Sequence, residues 1–193
     1  FDWLMPILNH YRREWSDVEL DFATGFEPEP HHLLMEGDID LLITTSDLPL
    51  DGISYQPLFE YESRLVLSPT HDLATQKFID PNDLINETLI AYPVEAKRLD
   101  IIANFMTPAQ VSFESVRTTE LTAMLIQLVA SERGVAALPD WVVAEYEKKG
   151  WVVSRPLGDG VHCQLYAATR TSSQDIAYMQ GFASLLEGIV KPV

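Results

Sequence analysis

The chain has 193 residues, 47% of them hydrophobic and 22% charged, a balance typical of a globular protein and enough for a core in one or two compact units. Its 29 acidic side chains against 13 basic ones leave a formal charge of −16, and the Lys and Arg are scattered with no run longer than two. These residues therefore lack the clustered cations of a duplex-binding surface, and the apolar fraction and pattern exclude intrinsic disorder and a helix of the ~18 apolar residues that span a membrane.

Trp3, Leu4, Ile7, Leu8, Tyr11 and Trp15 follow helical spacing, with Pro6 tolerated in a first turn. No strand precedes this helix and the chain opens on Phe1, so at least a first strand, or a whole domain, is expected upstream. Val18, Leu20 and Phe22 alternate with Glu19 and Asp21 as a strand would. Pro28 to Glu36 reads as a short helix stopped by Gly37, and Leu41-Leu42-Ile43 as a buried strand. Ile53 to Phe59 and Tyr61 to Leu67 read as two extended segments. Asp80-Pro81 opens a short helix, and Thr88 to Ala91 is a strand stopped by Tyr92-Pro93. Lys97 to Met106 reads as helical, Val111 to Val116 as extended, and Leu121, Leu125, Leu128 and Val129 mark an amphipathic helix. Val135 to Leu138 is a buried strand, and Trp141 to Lys149 a helix stopped by Gly150. Trp151 to Val153 and Gln164 to Ala168 are strands flanking a turn at Gly158-Asp159-Gly160, and Asp175 to Val190 is a terminal helix.

Strands alternating with helices predict an α/β protein with parallel sheets covered on both faces. Two such Rossmann-like lobes fit the length, with one interrupted by the other: 1–67 plus 168–193, and 68–167. Lobes of this kind present strand C-termini and helix N-termini to an interlobe cleft, where small ligands bind. Thr44-Thr45-Ser46-Asp47 follows a buried strand, and Thr118-Thr119 precedes a helix, so each offers hydroxyls and amides to a carboxylate. Ordinary N-capping accounts for Thr118-Thr119 equally well. Tyr92 and Phe26 fit either a pocket wall or the core. Arg64 is expected in a salt bridge with a neighbouring acid such as Glu60 or Glu62.

No metal site is expected. His31-His32 are adjacent rather than i, i+4, and Asp80 to Asp83 lack the glycine and the terminal glutamate of a calcium loop. Catalysis is not expected either, since there is no G-x-S-x-G and His162 and Cys163 point to opposite faces of a strand. A single cysteine fits a reducing, cytoplasmic location. The apolar stripes of Trp3, Ile7 and Tyr11 and of Met124 to Val129 fit core packing or a subunit interface.

The order of four degenerate motifs resembles the effector-binding domain of LysR-type transcriptional regulators over the whole chain. They are Leu4, Pro6 and Leu8 as L-x-P-x-L, Leu33 to Leu42 as LLMEGDIDLL, Leu65 to Leu73 as LVLSPTHDL, and Gly134 to Pro139 as GVAALP. Within that family, Phe59 to Leu67, Ile90 to Val94, Arg98 to Asp100 and Val135 to Val143 are similar to the regulators of methionine biosynthesis. The resemblance implies a type II periplasmic binding protein-like fold, an N-terminal winged helix-turn-helix outside these residues, and a homodimer or homotetramer. It also implies homocysteine as co-effector, with no cofactor. It places Thr44, Thr45 and Ser46 at the lip of the first lobe, Ser68 at the crossover, Tyr92, Thr118 and Thr119 on the second lobe, and Pro139 at the floor. Homocysteine also needs an acid for its ammonium, for which Glu120 or Asp47 is nominated, and an apolar contact for its sulfur-bearing chain, for which Phe26 is. The rival reading is a two-lobed solute-binding protein of a transport system, since fold does not fix function.

Overall fold

The computed structural model describes residues 3–23, 30–187 and 189. In chain order its principal elements are α1 (Leu4–Glu14), α2 (Pro30–Glu36), β1 (Leu41–Thr44), β2 (Ile53–Leu67), β3 (Thr88–Ala91), β4 (Ser115–Thr118), α3 (Thr122–Ala130), β5 (Ala136–Pro139), α4 (Asp140–Lys148), β6 (Val153–Arg170) and α5 (Ala177–Leu186). The chain divides into two compact units, one of residues 1–60 and 164–193, the other of residues 61–163. The divisions fall inside β2 and β6, earlier in each strand than the borders expected from sequence.

Several expectations about elements are corrected or refined. Ile53 to Phe59 and Tyr61 to Leu67 are one continuous strand, β2, because Glu60 faces water without interrupting the extended backbone. The two segments around Gly158-Asp159-Gly160 are likewise one strand, β6, and the glycines, at φ +56° and +111°, bend it without ending it. Val18 to Phe22 lies outside any strand, since no neighbouring strand among the described residues completes a ladder. Lys97 to Met106 is helical but not an α-helix: a 3-10 turn at Ala96–Arg98 is followed by a π-helical turn at Ile101–Met106.

In the first unit β1 pairs antiparallel with the end of β6, Leu41 opposite Thr169 and Thr44 opposite Tyr166. Alternation sorts β1 between two layers. Leu41 and Ile43 pack with α1 and α5 around Leu8, Tyr11, Phe182 and Leu186, while Leu42 packs with Leu34 of α2, Ile53 and Ala168. Tyr11 donates its hydroxyl to the Tyr178 carbonyl at 2.9 Å, so that buried oxygen is satisfied.

In the second unit β2 pairs antiparallel with β5, and β3 pairs parallel with β4. A parallel bridge from Leu89 to Val135 brings β3 alongside the start of β5. The expected all-parallel sheet is therefore a mixed one, because β2 enters the unit as a crossover strand running against the others. Leu65, Leu67, Leu89 and Val135 face a layer containing Ile79, Leu84, Ile101 and Met106. Val66, Ile90, Ala136 and Leu138 face α3 and α4 through Leu125, Ile126, Val129 and Val143. Both faces are covered, which is why these strands read as unbroken apolar runs. Gly134 is required where β5 begins: its φ is +147°, and a Cβ there would lie 2.3 Å from the Thr88 carbonyl oxygen.

Candidate functional site

Strand direction decides which candidate residues meet. In the second unit β3 and β4 run parallel and end together, Ala91 opposite Thr118, and the Thr119 amide extends the ladder to the Ala91 carbonyl at 3.0 Å. β5 runs parallel to β3, so Pro139 ends at the same edge. Tyr92, Thr118, Thr119, Glu120 and Pro139 are thus gathered at the C-terminal edge of three strands, beside the first turn of α3. Leu121, the residue preceding that helix, makes no side-chain cap, and the first-turn amides of an α-helix have no partner within the helix. Two residues that sequence reasoning passed over join them. Thr122 Oγ1 lies 2.6 Å from the Tyr92 hydroxyl, and buried Ser63 pairs with Pro139 across the ladder. Burial pushes the Tyr92 phenol up, and the Thr122 hydrogen bond opposes that shift.

Ser68 is not at that edge. β2 runs antiparallel to β5, so Ser68, five residues beyond Ser63, lies about 16 Å further along the strand direction, toward Gly134. There it is buried and bonded to Thr70 Oγ1 at 2.9 Å, and Thr70 bonds to Glu132. Arg64 forms the expected ion pair, 2.8 Å from Glu62, and its Nε donates to Ser154 Oγ at 2.9 Å. Its guanidinium is engaged within the fold.

In the first unit, Thr44 ends β1 and its hydroxyl accepts the Ser46 amide at 3.1 Å, closing the loop on itself, while Thr45 is exposed. Asp47 follows, its carboxylate accepting from the Tyr166 hydroxyl at 3.3 Å. Tyr166 meets the Tyr55 ring edge-to-face at 6.2 Å, and His31 lies 6.0 Å from Tyr55 on centroids. Burial, and then Asp47, raise both phenol pKa values. The only sequence signal for this pair is alternation in two strands whose length was not foreseen. Phe26 lies outside the described residues.

The remaining candidates have ordinary partners. His32 lies 3.1 Å from Glu36 on an exposed helix face. Asp80 and Asp83 form a capping box on the turn that Pro81 begins. Among the described residues no group of three His, Cys, Asp or Glu could hold a metal ion, and no helix is long and apolar enough to cross a membrane. Cys163 bonds with Tyr61, Asp100 and Asn104 rather than His162, and burial, then Asp100, push its thiol up to about 12. The Tyr61 hydroxyl donates to Asp100 at 2.7 Å.

A family model described as LysR substrate binding domain matches residues 1–189. The HTH-type transcriptional regulator MetR of Escherichia coli (strain K12) is 45% identical over 172 residues, covering 89% of this chain and 54% of that protein. The chain spans about half the length of the curated relatives it matches. The regulatory domain of MetR from N. meningitidis, a LysR family regulator, superposes with a TM-score of 0.86 at 43% identity, covering 96% of this chain and 86% of that one. The effector binding domain of QuiR in complex with shikimate superposes with a TM-score of 0.78 over 95% and 88% of the two chains; at 16% identity it shows the fold alone.

Proposed function

The chain belongs to the family of LysR substrate-binding domains and is a MetR-like regulatory domain, and from that premise we propose that it senses homocysteine on behalf of a regulator of methionine biosynthesis genes. The observation that carries this reading is the likeness to MetR regulators over about nine tenths of the chain, at 45% identity. DNA is contacted by a helix-turn-helix domain outside these residues, in a homodimer or homotetramer acting in the cytoplasm. The relatives are transcriptional regulators, not enzymes.

The chemistry of each unit suits an amino-acid effector. A carboxylate is favoured at the start of α3, where unpaired amides and the helix dipole meet Thr118, Thr119 and the Tyr92–Thr122 hydroxyl pair. Pro139 with Tyr92 supplies apolar surface at that same edge, and in the first unit the loop Thr44 to Asp47 carries hydroxyls and an acid of its own. Ser68 is left out of this set on the strand geometry. The test is footprinting of the whole regulator on its promoter with and without L-homocysteine. A ligand-dependent change in protected bases supports the reading, and an identical footprint at saturating ligand opposes it.

A further inference from the structure

We propose that the cluster of Asp47, Tyr166 and Tyr55 in the first unit is a binding site for a primary ammonium group, the cationic end of an amino-acid effector. This deepens the effector reading above and rests on it for the identity of the ligand. The antiparallel register sets Tyr166 opposite Thr44, the first residue of the loop that carries Asp47. The Asp47 carboxylate is exposed and has no ion pair among the described residues. Its one hydrogen bond, from the Tyr166 hydroxyl at 3.3 Å, is long for an O–H donor, so both carboxylate oxygens keep acceptor capacity. The Tyr55 hydroxyl oxygen is buried and has no hydrogen-bond partner among the described residues. Tyr166 and Tyr55 pack edge-to-face, at 81° and 6.2 Å, and the Tyr166 hydroxyl ties that aromatic pair to the carboxylate.

A carboxylate, phenol oxygens and ring faces all favour a cation. An ammonium brings three donors to the oxygens and is attracted to the negative faces of the rings. A ligand carboxylate would be repelled here by Asp47, so the charge of this cluster selects the cationic end of a zwitterion. Thr44 contributes less, because its hydroxyl already accepts the Ser46 amide.

Two titrations of the 193-residue chain test this separately from the effector assignment. In the first, propylammonium chloride is titrated against sodium chloride at matched ionic strength, and the tyrosine ring resonances are followed by NMR, with Tyr55→Phe and Tyr166→Phe giving the assignments. Shifts of both rings that vanish in Asp47→Asn are expected; unmoved rings, or shifts unchanged in Asp47→Asn, overturn the site. In the second, L-homocysteine is compared calorimetrically with 4-sulfanylbutanoic acid, which lacks only the amino group. The expected preference for homocysteine is about tenfold or more, lost in Asp47→Asn while binding of the desamino acid persists. Equal affinities in the unaltered chain overturn the assignment of the effector's ammonium to this site. Ring shifts with propylammonium but no heat with homocysteine keep the cation site and sink the homocysteine reading.

Discussion

The 2.6 Å hydrogen bond between Tyr92 and Thr122 ties the end of β3 to the first turn of α3. Both residues are half-buried, so Tyr92→Phe or Thr122→Val should each cost about 1 kcal/mol in urea unfolding, and the double variant less than the sum, as expected of one shared bond. Ser68 supplies the contrast. Ser68→Ala should lower stability by about 1 kcal/mol through its bond to Thr70 and leave effector affinity unchanged, whereas Thr119→Val should weaken binding in calorimetry. Residue identity alone could not separate these roles: Ser68 and Thr119 are both hydroxyls beside a strand end, and only the direction of β2 against β5 distinguishes the ends. Cys163 is governed by burial. Its folded thiol, pushed up to about 12 from 9.0, stays neutral, so this contribution to stability is complete below pH 9 and is lost as pH rises toward 12. Denaturation midpoints of the chain and of Cys163→Ala should diverge as pH falls from that range, and alkylation at pH 8 should be far slower than for a free thiol.

At the scale of elements, the GVAALP run shows how a motif encodes packing. Gly134 lets β5 start against the Thr88 carbonyl, and the next residues alternate between the two buried layers. Gly134→Ala should therefore destabilise the second unit by at least about 2 kcal/mol, read as a lower urea midpoint, because the clash is with backbone and cannot be relieved by a side-chain rotation. Helices α1 to α5 and strands β1, β3 and β5 were legible because each combines a period with a stop signal, such as Gly37, Gly150 or Tyr92-Pro93. The crossover strands were not. Glu60 and the Gly158-Asp159-Gly160 bend carry the usual marks of interruption, and only pairing with neighbouring strands reveals that β2 and β6 continue through them. The Tyr55 and Tyr166 cluster was missed for the same reason, since its two rings belong to those strands.

For the whole molecule, charge and family membership point the same way. A net charge of −16 repels phosphate, so the 193-residue chain should give no mobility shift with promoter DNA at physiological salt, whereas on the reading proposed above the whole regulator should. A shift by the chain alone would contradict the proposal that DNA is contacted outside these residues. The order of motifs made the family legible from sequence, since LLMEGDIDLL carries the stop of α2 and the start of β1, and GVAALP the start of β5. Effector identity is a finer matter than family membership. Its most direct test is calorimetric titration of the chain with L-homocysteine, methionine, cysteine and homoserine under reducing conditions. Selective binding of homocysteine, weakened by Thr119→Val but not by Ser68→Ala, is the predicted result; selective binding of another of these compounds, or homocysteine binding indifferent to Thr119→Val, would contradict it.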